Sequence, residues 1–146
     1  MKKVLYVFIL FFICLFQTSC VSNKNYLVVR ADTISLYETK SFVVNDYNDQ
    51  ILKDLSEHSE IKKYDENYFK EKAIIVILTK ADSSRINYSV TTTSLIGELF
   101  LVNLEAKSKE YVTMDLVSQY IIIEISKEES LKINEIKVEY KRIIEK

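Results

Sequence analysis

The hydrophobic pattern of the chain opens with thirteen consecutive apolar residues, Val4 to Phe16, preceded by Lys2 and Lys3. That run is too short for a comfortable membrane span, which takes about 20 residues. A positive start, an apolar stretch and then the small polar Thr18 and Ser19 make the pattern of a secretory signal. Residues 1–19 are therefore set apart from the folding argument. "VSNKN" (21–25) is polar and reads, with Cys20, as a short tether. Residues 26–146 remain as one β-rich domain.

Within that domain the period alternates between two and roughly 3.6. "YLVVRADTISLYETKSFVVN" is dense in β-branched and aromatic residues. Leu27 and Val29 alternate with Tyr26, Val28 and Arg30, and Phe42 and Val44 repeat the alternation, which predicts two or three strands. "DYNDQILKDLSEHSE" then puts Ile51, Leu52 and Leu55 at helical spacing. An amphipathic helix of about three turns is expected over residues 46–57, with Asp46 as N-cap. "YDENYFKEK" predicts a short helical turn over 65–71, capped by Asp65, with Phe69 turned inward. "AIIVILT" (73–79) is continuously apolar and suits a central strand covered on both faces. "INYSVTTT" alternates, with Ile86, Tyr88 and Val90 on one face. "GELFLVNLEA" puts Phe100, Val102 and Leu104 on one side. "QYIIIEIS" sends Ile121, Ile123 and Ile125 inward, and "NEIKVEY" presents Ile136, Val138 and Tyr140. Short connections make antiparallel pairing the default. The expected class is mainly β within α+β: an antiparallel β-sandwich or curled sheet with one helix and one helical turn.

Composition sharpens this reading. The chain has one glycine, Gly97, and no proline, so its turns must be made by Asn, Asp, Ser and Lys. Cleavage before Cys20 removes 19 of the 146 residues and leaves 127, enough to bury a core. Loss of Lys2 and Lys3 leaves 18 basic residues against 21 acidic ones, a net charge of −3. A mildly acidic surface carries no footprint for nucleic acid and no polybasic patch for anionic lipid. Cys14 leaves with the signal, so Cys20 becomes the only thiol and no intrachain disulfide can form.

"QTSC", at the end of the apolar run, resembles a bacterial lipobox. The resemblance implies diacylglyceryl transfer to the Cys20 thiol and cleavage just before it. Two or three acyl chains anchor stably where one does not. Gln17 stands where an aliphatic residue is usual. The expected location is the bacterial cell envelope, with the protein held to a membrane through the lipid on Cys20.

Residues that carry chemistry are sparse. His58 is the only histidine and sits on the polar side of the expected helix, beside Glu57 and Glu60. It has neither the histidine nor the cysteine partners that a metal site needs, and no nucleophile-elbow pattern surrounds any serine. One glycine cannot form a phosphate-binding loop. Asp65, Glu66 and Glu71 fit a capped helix end, and "EAKSKE" and "KEES" fit solvated turns. Nine tyrosines remain after Cys20, and an exposed group of them would suit a binding surface. No cofactor, metal or catalytic residue is expected. The turns at Ser83, Ser84 and Arg85 and at Thr113 and Asp115 are the candidate partner contacts, because loops held by rigid sheets commonly carry recognition.

"YDENYFKEKAIIVILTKADSSRINYSV" and "VTMDLVSQYIIIEISK" resemble, in their order of turn, apolar strand and Thr-x-Asp turn, a loose group of small exported bacterial lipoproteins. Over roughly residues 64–127 the strand order is similar to the C-terminal domain of protease-complex subunits. "ADSSRIN" replaces the Gly- and Pro-containing loop of that domain. Three readings follow. One is a non-enzymatic, lipid-anchored module whose partner is an envelope protein. The second, implied by the resemblance, is a protease-associated inhibitor or adaptor. The third is an enzyme with an unfamiliar site, which would need a cleft with convergent polar groups.

Overall fold

The computed structural model describes residues 24–31, 37–110 and 115–145. Among these residues nine strands run in chain order: β1 (Tyr26–Arg30), β2 (Lys40–Val44), β3 (Lys72–Leu78), β4 (Asp82–Ser83), β5 (Asn87–Ile96), β6 (Leu99–Lys109), β7 (Leu116–Val117), β8 (Gln119–Ser126) and β9 (Glu135–Glu145). Helical segments are brief: α1 (Gln50–Asp54), a 3-10 helix (Ser59–Lys63), α2 (Tyr68–Glu71) and α3 (Lys127–Ser130). The class is the expected one, β-rich α+β with sheets not closed into a barrel.

Three layers result. A four-stranded antiparallel sheet, ordered β1-β8-β3-β2, lies between a helical layer and a three-stranded sheet, β5-β6-β9. This explains the unbroken apolar runs. On β3, Ile74 and Val76 pack toward Leu52, Leu55, Ile61, Tyr64 and Phe69 of the helical layer. Ala73, Ile75 and Ile77 pack toward Phe100, Val102 and Leu104 of β6. On β8, Tyr120 and Ile122 face the helices, while Ile121, Ile123 and Ile125 face the second sheet. A strand buried on both sides has no polar face to show.

The helical layer is more broken than the periodicity predicts. Instead of a helix over 46–57, α1 holds only five residues, and its cap is Asp49, whose Oδ1 accepts from Ile51 N at 2.9 Å. Asp46 makes a turn of its own, accepting from Asn48 N at 2.7 Å. After Leu55, Ser56 Oγ donates to the Lys53 carbonyl at 2.6 Å and competes with the continuing helix. The chain rewinds as the 3-10 helix to bury Ile61. Asp65 Oδ1 accepts from Tyr68 N at 2.8 Å, but α2 covers only Tyr68–Glu71 rather than 65–71 and is headed by Asn67, whose side chain makes no cap bond; Phe69 is buried as expected. Phe42, on the edge strand β2, is exposed, whereas Val44 is fully buried.

One pairing departs from the antiparallel default: β9 runs parallel to β6, from Leu99↔Glu135 to Lys109↔Glu145. Both edges of β8 are taken by β1 and β3, so the chain leaving β8 must cross to the other sheet. It joins the open side of β6, starting at the end where β6 starts. The β5–β6 hairpin turns in two residues, Gly97 and Glu98. Gly97 has φ +61°, and it is the only described residue in that region of backbone space.

The layers share two ends. At the near end the chain enters at Lys24, β2 and β8 finish, and β3, β6 and β9 begin. At the far end lie the short β4–β7 pair, the start of β5 and the finish of β6 and β9.

Candidate functional site

The two turns singled out in the sequence come together at the far end. The β4–β7 ladder pairs Asp82 with Val117 and Ser83 with Leu116. Ser84 N donates to the Asp115 carbonyl at 3.0 Å, and Ser84 Oγ donates to Asp115 Oδ2. Ser83 is buried, and its Oγ accepts from Arg85 N at 3.4 Å. Arg85 and Asp115 are exposed. Thr113 and Cys20 lie outside the described residues.

This corner is held by the central sheet. Ile86 N donates to Ser83 O at 3.0 Å, and Gln119 Nε2 donates to Ile86 O at 2.8 Å. Thr79 bonds Gln119 through both backbone and hydroxyl, at 2.9 Å each. Leu116, half exposed, stands beside Asp115. A guanidinium, a carboxylate and an apolar side chain are thus presented on a braced backbone. Such a surface can recognise a polar partner. The Ser84 hydroxyl is committed to Asp115, and the only histidine of the chain opens the 3-10 helix in the helical layer, so these three do not form a triad.

A second polar cluster was missed in the sequence. Glu124 is the one acid in the apolar run of β8, and it shares a face with Tyr120 and Ile122. Lys63 Nζ bonds its Oε1 at 2.7 Å, and Tyr64 Oη donates to the same oxygen at 3.3 Å. Tyr64 and Tyr68 meet edge to face at 4.9 Å, and Tyr68 meets Phe69 at 5.3 Å. Lys63 lies over the Tyr64 ring and Lys72 over the Tyr68 ring, at 4.8 and 5.5 Å. Burial first, then the charge of Glu124, raises the pKa of both phenols far above the ordinary tyrosine value. Both rings are therefore neutral and unsuited to act as bases. Tyr68 Oη is buried with no hydrogen-bond partner among the described residues. A lone acid inside a continuous apolar strand was the signal available for this cluster.

Two hollows flank it. One, of about 330 Å³, is lined by Tyr47, Leu52, Ile61 and Tyr64 with Lys53, Lys62 and Asp65 at its rim. The other, of about 370 Å³, is more open and lies among Lys24, Glu71, Lys72, Glu124 and Ser126. Among the described residues, no three His, Cys, Asp or Glu side chains are placed to hold a metal ion. No described helix is long and apolar enough to cross a membrane. The exposed tyrosines do not form one patch: Tyr26 and Tyr47 lie at the near end, Tyr37 precedes β2, Tyr140 sits midway along β9 opposite Leu104, and Tyr111 is outside the described residues. No protein-family model, curated protein or solved structure matches the chain.

Proposed function

We propose that this chain is a lipid-anchored, non-enzymatic interaction module of the bacterial cell envelope, held by acyl chains on Cys20 and offering its far end to a protein partner. The observation that carries this reading is the placement of the two candidate turns. Ser83–Arg85 and Asp115, thirty or more residues apart in sequence, share one braced corner, and that corner lies at the opposite end of the layers from the entry of the chain at Lys24. A module tethered through residues before Lys24 presents that corner away from the membrane. The apolar run followed by "QTSC" supports the tether.

The test is capture from detergent-solubilised envelopes with the full chain as bait, beside Arg85→Ala and Asp115→Ala variants. The reading predicts a co-purifying envelope protein that both variants lose. Equal recovery with both variants would remove the far end as the contact. A protease among the captured proteins would make the module an inhibitor or adaptor.

A further inference from the structure

We infer that the near end of the domain docks on the lipid bilayer itself, with Leu131 and Ile96 entering the interface. This inference rests on the reading of Cys20 as the lipid-bearing residue and adds an orientation to it. Its first support is the length of chain ahead of the fold. Lys24 is bound into the domain: its ammonium bonds both carboxylate oxygens of Glu129 at 2.7 Å. The next residue joins β8, with Glu124 N donating to Asn25 O at 3.0 Å. Four residue steps separate Lys24 from Cys20. A chain extends at most about 3.3–3.6 Å per residue, so the reach is roughly 14 Å. The headgroup layer on each side of a bilayer takes up about half of that. The near end must therefore sit against the headgroups.

The second support is what that end exposes. Leu131, which closes α3, is 76% exposed, and Ile96, at the tip of the β5–β6 hairpin, is 53% exposed. The turn after Leu131 is laid on that hairpin, with Asn134 N donating to Glu98 O at 2.9 Å. Single exposed apolar residues are ordinary on a protein surface. These two, however, occupy the end that the tether holds closest to lipid, where insertion would remove them from water.

The charges nearby decide the kind of contact. Lys24 is committed to Glu129, and Lys127 is turned inward to the carbonyls of Asn45 and Phe69. Lys132 pairs with Glu128 at 2.6 Å. Lys72, at the start of β3, lies over the Tyr68 ring and follows Glu71 in the chain, so among the described residues the near end gathers no basic patch, and the docking is apolar and little affected by lipid charge or salt.

The chain has no tryptophan, so Leu131→Trp, Ile96→Trp and the far-end control Leu116→Trp each carry a single fluorophore at an exposed position. The full chain, made in a cell that acylates it, is reconstituted into phosphatidylcholine vesicles with and without bromine-labelled acyl chains. Mass spectrometry of the same samples reads the acylation. The inference expects acylated protein whose Leu131→Trp and Ile96→Trp emission shifts to the blue and is quenched by bromine. Leu116→Trp emission should be unaffected, and the pattern should be the same with phosphatidylglycerol or high salt. Acylated protein without quenching at the near end, or with equal quenching at Leu116→Trp, overturns the inference and leaves the lipoprotein reading standing. A blue shift that depends on protein concentration and not on bromine assigns the near end to a second copy and also overturns it. Absence of the acyl mass retires the lipoprotein reading, and the inference with it.

Discussion

Replacing Glu129 by alanine should loosen the entry of the chain from the domain, and the structure sets the size of the effect. Glu129 does two things. Its carboxylate holds Lys24, whose side chain is only 12% exposed, and its Oε2 accepts from Ser126 N and Ser126 Oγ at 3.1 Å, closing the capping box of α3. An exposed ion pair is worth about 0–1 kcal/mol. A hydrogen bond to a charged, partly buried group is worth about 1.5–3 kcal/mol. Adding the lost half of the capping box, the cost of Glu129→Ala should be about 2–3 kcal/mol. Lys24→Ala should cost less, about 1–2 kcal/mol, because the cap survives it. The double-mutant cycle should return a coupling of about 1–2 kcal/mol. Urea denaturation in a Cys20→Ala background measures all three. The pH dependence has a definite sign. Burial alone would raise the Glu129 carboxyl, but the bonds from Lys24 and Ser126 outweigh it and hold the group below its ordinary value of 4.5. A carboxyl depressed in the folded state stabilises the fold above its unfolded value, and that stability is lost as pH falls through the folded value. The coupling should therefore be full at neutral pH and fade on acidification below about 4.5. A coupling near zero at neutral pH, or one unchanged by acid, would refute the reasoning.

Other substitutions probe the helical layer, the hairpin and the buried phenols. Tyr64→Phe removes the 3.3 Å bond to Glu124 and should cost about 0.5–1.5 kcal/mol, whereas Tyr68→Phe deletes a buried hydroxyl that has no described partner and should be neutral or stabilising. Urea midpoints in the reverse order would contradict the assignment of the cluster. Gly97→Ala should destabilise by about 1 kcal/mol or more on backbone grounds alone, since a Cβ there meets no atom within 4 Å; an unchanged melting temperature would count against the turn. Alkaline stability should also fall in a set window. Burial, then Asp82 and Tyr140, pushes Tyr88 up to about 12, and Tyr64 and Tyr68 are raised as well. Groups raised in the folded state stabilise it below the unfolded value, so stability should hold to about pH 10 and decline above it. Phenolate absorbance that rises before unfolding would contradict this.

The layered core was legible because burial on both faces leaves a plain mark: "AIIVILT" and "QYIIIEIS" have no room for alternation. The alternating strands β5 and β6 were legible for the converse reason, since their outer face meets water. The helix was overextended because Ile51, Leu52 and Leu55 carry a genuine helical spacing, while its early stop depends on a serine hydroxyl bonding back to a carbonyl, which spacing does not reveal. The direction of β9 depended on which strand edges were already occupied, a property of the assembled sheets. At the candidate site, each turn could be picked for its polar residues. Their union through a two-residue ladder could not, because strands as short as β4 and β7 carry no periodic signal. Glu124 was available to a reader who asked why an acid interrupts a run of isoleucines.

The proposed membrane anchor turns on Cys20. Metabolic labelling with a fatty-acid analogue, in cells making either the native chain or Cys20→Ala, reads it directly. Label is expected on the native chain, recovered with the membrane fraction, and none on Cys20→Ala. Label retained by Cys20→Ala, or a native chain that is exported and never labelled, would contradict it.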